Sequence, residues 1–265
     1  MKRIITAILL GGLVLAAVLW LPRWGVYALV IIASAIGLFE FGRMFLKDLL
    51  ERWAAIIAGM LACVAMVLYP AAGNPVLLIL AFDLFALALI FMWRANEVLG
   101  IADKLALAIM GVLYLGVVFP FWAWVAALTY GKELVLIGLV PACLCDMFAL
   151  IAGKSFGRRR LAPLVSPNKT VEGLIGALVG SFGGAFLMRS LLMPQMPLYH
   201  IAILAAIIWI TSPFGDLVES LLKRSSGVKD SGSIIPGHGG VLDRLDALIF
   251  TGPAVYAYAV YVMGI

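Results

Sequence analysis

Pro75-Val-Leu-Leu-Ile-Leu-Ala-Phe-Asp83-Leu-Phe-Ala-Leu-Ala-Leu-Ile-Phe-Met92 is an apolar run with one charge. A run of about 20 such residues crosses the hydrocarbon core as a helix, because a helix satisfies its own backbone polar groups. Similar runs flank it on both sides. They are Ile4–Leu21, Val26–Leu46, Trp53–Tyr69, Lys104–Ala127, Glu133–Ala152, Glu172–Leu192, Leu198–Leu222 and Asp243–Val262. The 265 residues are 65% hydrophobic and 12% charged, whereas soluble domains are about half apolar and a quarter charged. Water-soluble folds are therefore excluded. The alternating ten-residue segments of a membrane barrel are absent from the sequence. The expectation is an all-α polytopic bundle of about nine transmembrane helices.

Basic residues orient such a bundle, because they stay on the cytoplasmic side. With the N-terminus inside, only Arg23, Lys132 and Arg189 of the 19 Lys and Arg residues face out. N-in, C-out is expected. Lys2-Arg3 before an apolar run also resembles a secretory signal, but the run is long and lacks a clear cleavage site, so an uncleaved first helix is expected. Cys63, Cys143 and Cys145 lie in spans without the spacing of a redox or zinc pair, and read as small buried hydrophobes. The net charge of +5 follows from the positive-inside bias and implies no nucleic acid.

Polar residues divide the chain unevenly. Residues 1–130 are spans joined by short loops, suited to lipid access or a dimer contact. Residues 131–265 carry two long inner loops, Gly153–Val171 and Ser225–Leu242, and hold the expected chemistry. The first loop contains Arg158-Arg159-Arg160 and Ser166-Pro-Asn-Lys169-Thr170. The arginines suit either a headgroup anchor or a phosphate clamp. The Ser-Pro-Asn-Lys-Thr segment can start the helix that follows, and Lys169 is placed to meet a phosphate.

On the helix before the second loop, Asp216, Glu219, Ser220, Lys223 and Arg224 form one polar stripe. Acids there need a cation or a wet cavity, and pairing with Lys223 or Arg224 would serve. Past the loop, Asp243 and Asp246 open the last helix on one face, preceded by His238-Gly239-Gly240. Capping accounts for one aspartate, not two. Asp216, Asp243 and Asp246 offer the oxygen donors that suit Mg²⁺. His238 reads as a loop-holding hydrogen-bonder, a phosphate donor or a base. His200 reads as incidental. Asp146 is a candidate for the same pocket, Asp83 an intramembrane acid without an obvious partner, and Glu40 with Arg43 a simple ion pair one turn apart.

The run Ser220-Leu-Leu-Lys223-Arg224, Lys229-Asp230-Ser-Gly232, Pro236-Gly-His238-Gly239-Gly240, Asp243-Arg244-Leu-Asp246 resembles the signature of the phosphatidate cytidylyltransferases, or CDP-diacylglycerol synthases, without a gap over 27 residues. Ser166-Pro-Asn-Lys169-Thr170-Val-Glu172-Gly173 is similar to a second family segment, with Asn168 and Val171 standing where the family has Lys and Trp. The specific likeness spans about residues 146–246. It implies that CTP and phosphatidate give CDP-diacylglycerol and pyrophosphate, with Mg²⁺, in the bacterial inner membrane with the site facing the cytoplasm.

Carried onto these positions, the resemblance implies catalytic roles for Lys223, Arg224, Lys229, Asp243 and Arg244. Ser166, Lys169, Ser220, His238, Gly239 and Gly240 would bind substrate. Asp216, Asp243 and Asp246 would bind Mg²⁺, with a second cation allowed, and Asp230 orients Lys229 or binds metal. A homodimer is compatible with it. Other readings are a CTP-using polyprenol kinase, which would release CDP, and an ion-coupled transporter using Asp83, Asp146 and Asp216. The Asp-Gly-x-x-Ala-Arg opening of CDP-alcohol phosphotransferases is missing.

Overall fold

The computed structural model describes residues 2–70, 73–94, 98–234 and 239–265, by backbone alone at 2–10, 73 and 74. Helices dominate: α1 (Lys2–Trp20), α2 (Arg23–Phe45), α3 (Leu49–Leu68), α4 (Gly73–Arg94), α5 (Ile101–Gly111), α6 (Phe121–Ala127), α7 (Gly131–Phe156), α8 (Val171–Leu192), α9 (Leu198–Ser225), α10 (Leu242–Ile249) and α11 (Thr251–Tyr258). A π-helical stretch, Val112–Val118, joins α5 to α6, and another, Ala259–Met263, follows α11. Among the described residues, eight segments are long and apolar enough to cross a membrane, with α5–α6 and α10–α11 each counting as one. They coincide with eight of the nine expected spans. The ninth, α1, is helical over Lys2–Trp20. The chain is an all-α polytopic membrane protein.

Local chemistry accounts for the breaks. Phe119 N–H reaches back five residues to the Tyr114 carbonyl, and Pro120, which has no N–H to donate, closes that π-helical stretch. Pro253 stands in the first turn of α11, where a missing N–H costs nothing. Asp48 caps α3 through the Leu50 and Glu51 N–H groups and binds Arg94 at 2.6 Å, tying α4 to the start of α3.

Helices approach closely where residues are small. A Cβ on Gly176, Gly180 or Gly184 of α8 would run into the α7 backbone or side chains at Phe148, Leu144 and Pro141. These three glycines repeat every fourth residue and so form one face. Polar side chains add ties between helices: Ser181 Oγ donates to the Ala205 carbonyl at 2.7 Å, and Trp122 Nε1 to the Leu248 carbonyl at 2.9 Å.

Several expectations change. Residues 153–171 are not one open loop. α7 continues to Phe156, and β1 (Arg160–Ala162) pairs antiparallel with β2 (Ser166–Thr170). Ser166 and Lys169 thus lie on a strand, while Thr170 caps α8 by accepting from Gly173 N–H at 3.0 Å. Cys63 and Cys145 are buried, but Cys143 is exposed. It stands one helical turn before Asp146 on α7, and the apolar run alone could not mark it as exposed. His200 is engaged, its Nδ1 lying 2.8 Å from Tyr258 Oη and linking α9 to α11.

Candidate active site

α9 is 28 residues long, about 42 Å at 1.5 Å per residue. That exceeds the ~30 Å hydrocarbon core by two turns. Its polar stripe occupies those last turns. α10 lies against it closely enough that a Cβ on Gly215 would strike the Asp246 carbonyl. Glycine at 215 therefore sets the acids of α9 opposite those of α10.

Asp216 is held from two sides. Lys169 Nζ, reaching over from β2, lies 2.7 Å from its Oδ2 and donates to the Pro213 carbonyl at 3.1 Å. Ser220 Oγ, one turn on, donates to its Oδ1 at 3.3 Å. Lys169 and Ser220, both expected to bind substrate, thus converge on one expected metal ligand.

Asp243 is more tightly engaged. Lys223 Nζ meets its Oδ1 at 2.6 Å. Its Oδ2 accepts from Gly240 N–H at 2.7 Å, Ser231 N–H at 3.0 Å and Ser231 Oγ at 2.9 Å. Gly239 has φ +83°, and a Cβ there would lie 2.6 Å from Asp243 Oδ2, so the loop needs glycine for both its conformation and its clearance. Lys223 also stands 3.2 Å from Glu219 Oε1. Glu219 is fully buried, and neither of its oxygens accepts a hydrogen bond. Its carboxyl group faces that of Asp246. On α7, Asp146 lies within electrostatic reach of Asp216, Asp246, Lys169 and Arg244. Five acids from three helices therefore share one polar region with Lys169, Lys223 and Arg244.

The sequence reading missed Glu40. It does not pair with Arg43, whose guanidinium lies over the Phe39 ring, 5.8 Å from its centroid. Glu40 instead turns inward, where it is 2% exposed. It accepts from Val241 N–H at 3.1 Å, Leu242 N–H at 2.8 Å and Ser231 Oγ at 3.2 Å. Backbone donors at a helix start satisfy a carboxylate as well as an arginine does. Glu219 was legible on the stripe, and its pairing with Lys223 is the simple one expected there. Ser231 gave no signal beyond its place in the signature.

Arg224 is exposed and donates to the Val228 carbonyl at 3.2 Å. Lys229, Asp230 and Arg244 are exposed, Gly239 is half-buried and Gly240 is buried. His238 lies outside the described residues. Asp83 is buried in α4 with its Oδ2 unpartnered.

Asp216, Asp243 and Asp246 do not form a three-carboxylate cage. Among the described residues, no group of three His, Cys, Asp or Glu is disposed to hold a metal ion. Asp243 is taken up by Lys223 and the loop. Asp216 and Asp246 remain suitable oxygen donors for Mg²⁺. Glu219, already paired with Lys223, lies beside Asp246 in the same region.

A family model described as the cytidylyltransferase family matches residues 1–262. Phosphatidate cytidylyltransferase of Bacillus subtilis (strain 168) is 36% identical over 155 residues, 58% of this chain and 58% of the relative. That of Synechocystis sp. is 42% identical over 154 residues, 54% of this chain and 50% of the relative. That of Thermotoga maritima is 41% identical over 132 residues, 48% of this chain and 49% of the relative. The chain thus spans about half the length of the curated relatives it matches. The match over nearly the whole sequence, on a chain that gathers its signature residues at one end of two packed helices, places it in the cytidylyltransferase family.

Proposed function

We propose that this chain transfers the cytidylyl group of CTP to phosphatidate, giving CDP-diacylglycerol and pyrophosphate, at the cytoplasmic face of the bacterial inner membrane. The observation that carries the reading is the joining of Lys223, Asp243, Ser231 and Gly240 in one network within the signature segment. A soluble nucleotide and a membrane lipid can meet at such a helix end, where the spans give way to polar loops. The relatives named for this reaction support the choice of substrates.

A phosphatidate phosphate oxygen forms a bond to the α-phosphorus of CTP. The bond from that phosphorus to the bridging oxygen of the β-phosphate breaks, and pyrophosphate leaves with the electron pair. A phosphate monoester has a second pKa of about 6, so the nucleophile needs no general base. The barrier is the approach of two polyanions, and it falls through positioning and charge neutralisation. Lys223, Arg224, Lys229 and Arg244 would neutralise the triphosphate and the lipid phosphate. Lys169 and Ser220 would exchange their hold on Asp216 for substrate oxygens, and Ser166, His238, Gly239 and Gly240 would bind substrate. Asp216 and Asp246 would hold Mg²⁺, joined by Asp243 where Lys223 gives up Oδ1, and a second cation is allowed. Bound there, Mg²⁺ would supply further neutralisation of the triphosphate.

The test supplies phosphatidate, cytidine-labelled CTP and Mg²⁺ to the full chain in detergent micelles. Label should enter the lipid phase and pyrophosphate should appear, and EDTA should stop both. Release of CDP with phosphate passing to a lipid alcohol would replace the reading with a kinase. Ion uptake into vesicles without nucleotide turnover would replace it with a transporter.

A further inference from the structure

We infer that Glu40, on the second helix of the chain, is a positioning residue for this transfer, fixing the segment that presents Asp243 and Arg244. The inference rests on the proposed function.

α10 begins without a side-chain cap of its own, since Val241 occupies the cap position. The first N–H groups of a helix must find acceptors. Here two of them find Glu40, across about two hundred residues of sequence. Ser231 then links Glu40 to Asp243. Its hydroxyl carries one proton and lies 3.2 Å from Glu40 Oε2 and 2.9 Å from Asp243 Oδ2. Both carboxylates therefore grip the same serine, one from α2 and one from α10.

The fit is close. A Cβ on Gly232 or Gly240 would collide with Glu40, so the loop folds around this carboxylate with no room for a side chain. Asp243 in turn holds Lys223 at 2.6 Å. A chain of contacts thus runs from Glu40 through Ser231 and the α10 start to the cation expected to meet phosphate. Glu40 itself is buried, with its oxygens turned to Ser231, Val241 and Leu242. Its effect must come through the segment it holds.

Glu40→Gln keeps the shape but replaces one acceptor oxygen with an NH₂ that faces N–H donors. In the full chain in micelles, kcat should fall by about a hundredfold, as a misplacement near 1 Å commonly causes, while KM for CTP and for phosphatidate changes little. Amide exchange at Val241 and Leu242 should quicken. Glu40→Asp, which keeps the charge, should recover part of both. Wild-type kcat per folded Glu40→Gln molecule, with only the folded yield reduced, would overturn the inference and leave a structural staple. Lost kcat with unchanged amide exchange would overturn it too. If the wild-type chain transfers no cytidylyl group, the proposed reaction fails, and with it the catalytic part of the inference. The exchange comparison, which needs no activity, would still decide whether Glu40 holds the loop.

Discussion

Asp243 is the most heavily engaged side chain of the site, taking one ammonium, two backbone N–H groups and one hydroxyl. Asn at this position offers a single acceptor oxygen, so either Lys223 or the loop must lose its partner. Hydrogen bonds to charged groups are worth about 1.5–3 kcal/mol each. Asp243→Asn should abolish cytidylyl transfer, measured as label entering lipid, while the protein still extracts from the membrane as a folded species. Activity near wild type would remove Asp243 from the chemistry. Ser231→Ala should be milder. It deletes one shared donor, about 1 kcal/mol, while Gly240 N–H and Lys223 still hold Asp243. A several-fold loss of activity with the loop retained is expected. Lys223 sits between Glu219 and Asp243, so Lys223→Met would leave two buried acids facing each other without their cation. Removing one partner of a buried pair costs about 3–5 kcal/mol, and a lower unfolding temperature should accompany the lost activity.

Among the elements, the α7–α8 pair and the α9–α10 pair show how the site is carried. α8 presents Gly176, Gly180 and Gly184 to α7. Gly180→Leu would drive a side chain into the Leu144 backbone, and overpacking of this kind costs about 1–3 kcal/mol. Earlier thermal unfolding in detergent should follow, with transfer activity already reduced below the transition. α7 carries Asp146, and the β-hairpin between α7 and α8 carries Lys169, so this packing also aims two site residues. In α9, the polar stripe was legible from spacing alone. Its meaning was not, because only the approach of α10 at Gly215 sets the stripe against Asp246 and brings Lys223 to Asp243. The hairpin was not legible either. Three- and five-residue strands in a polar segment carry too little pattern to stand out from a loop.

For the whole molecule, the proposed orientation puts every long polar loop on one side. In a chain with Cys63, Cys143 and Cys145 changed to Ser, a Lys229→Cys substitution should react with a membrane-impermeant thiol reagent in inverted vesicles and stay protected in intact cells. Labelling from outside would reverse the orientation and remove access to cytosolic CTP. The N-terminal region also enters the site: α2 packs against α10, and Glu40 reaches the loop. By itself the amino-acid sequence determined the class of fold, because hydrocarbon admits only helices whose backbone groups are satisfied within each span, and hydropathy is written along the chain. It also determined the family, through signature residues that lie close together in sequence. Tertiary structure alone decided what each acid does. Glu40 and Arg43 are one helical turn apart and look like partners, yet the helix buries one and leaves the other over Phe39. Glu40's true partners lie some two hundred residues away, and a side chain's partner depends on which backbone groups the fold brings within about 3 Å, a distance that spacing along the chain does not contain.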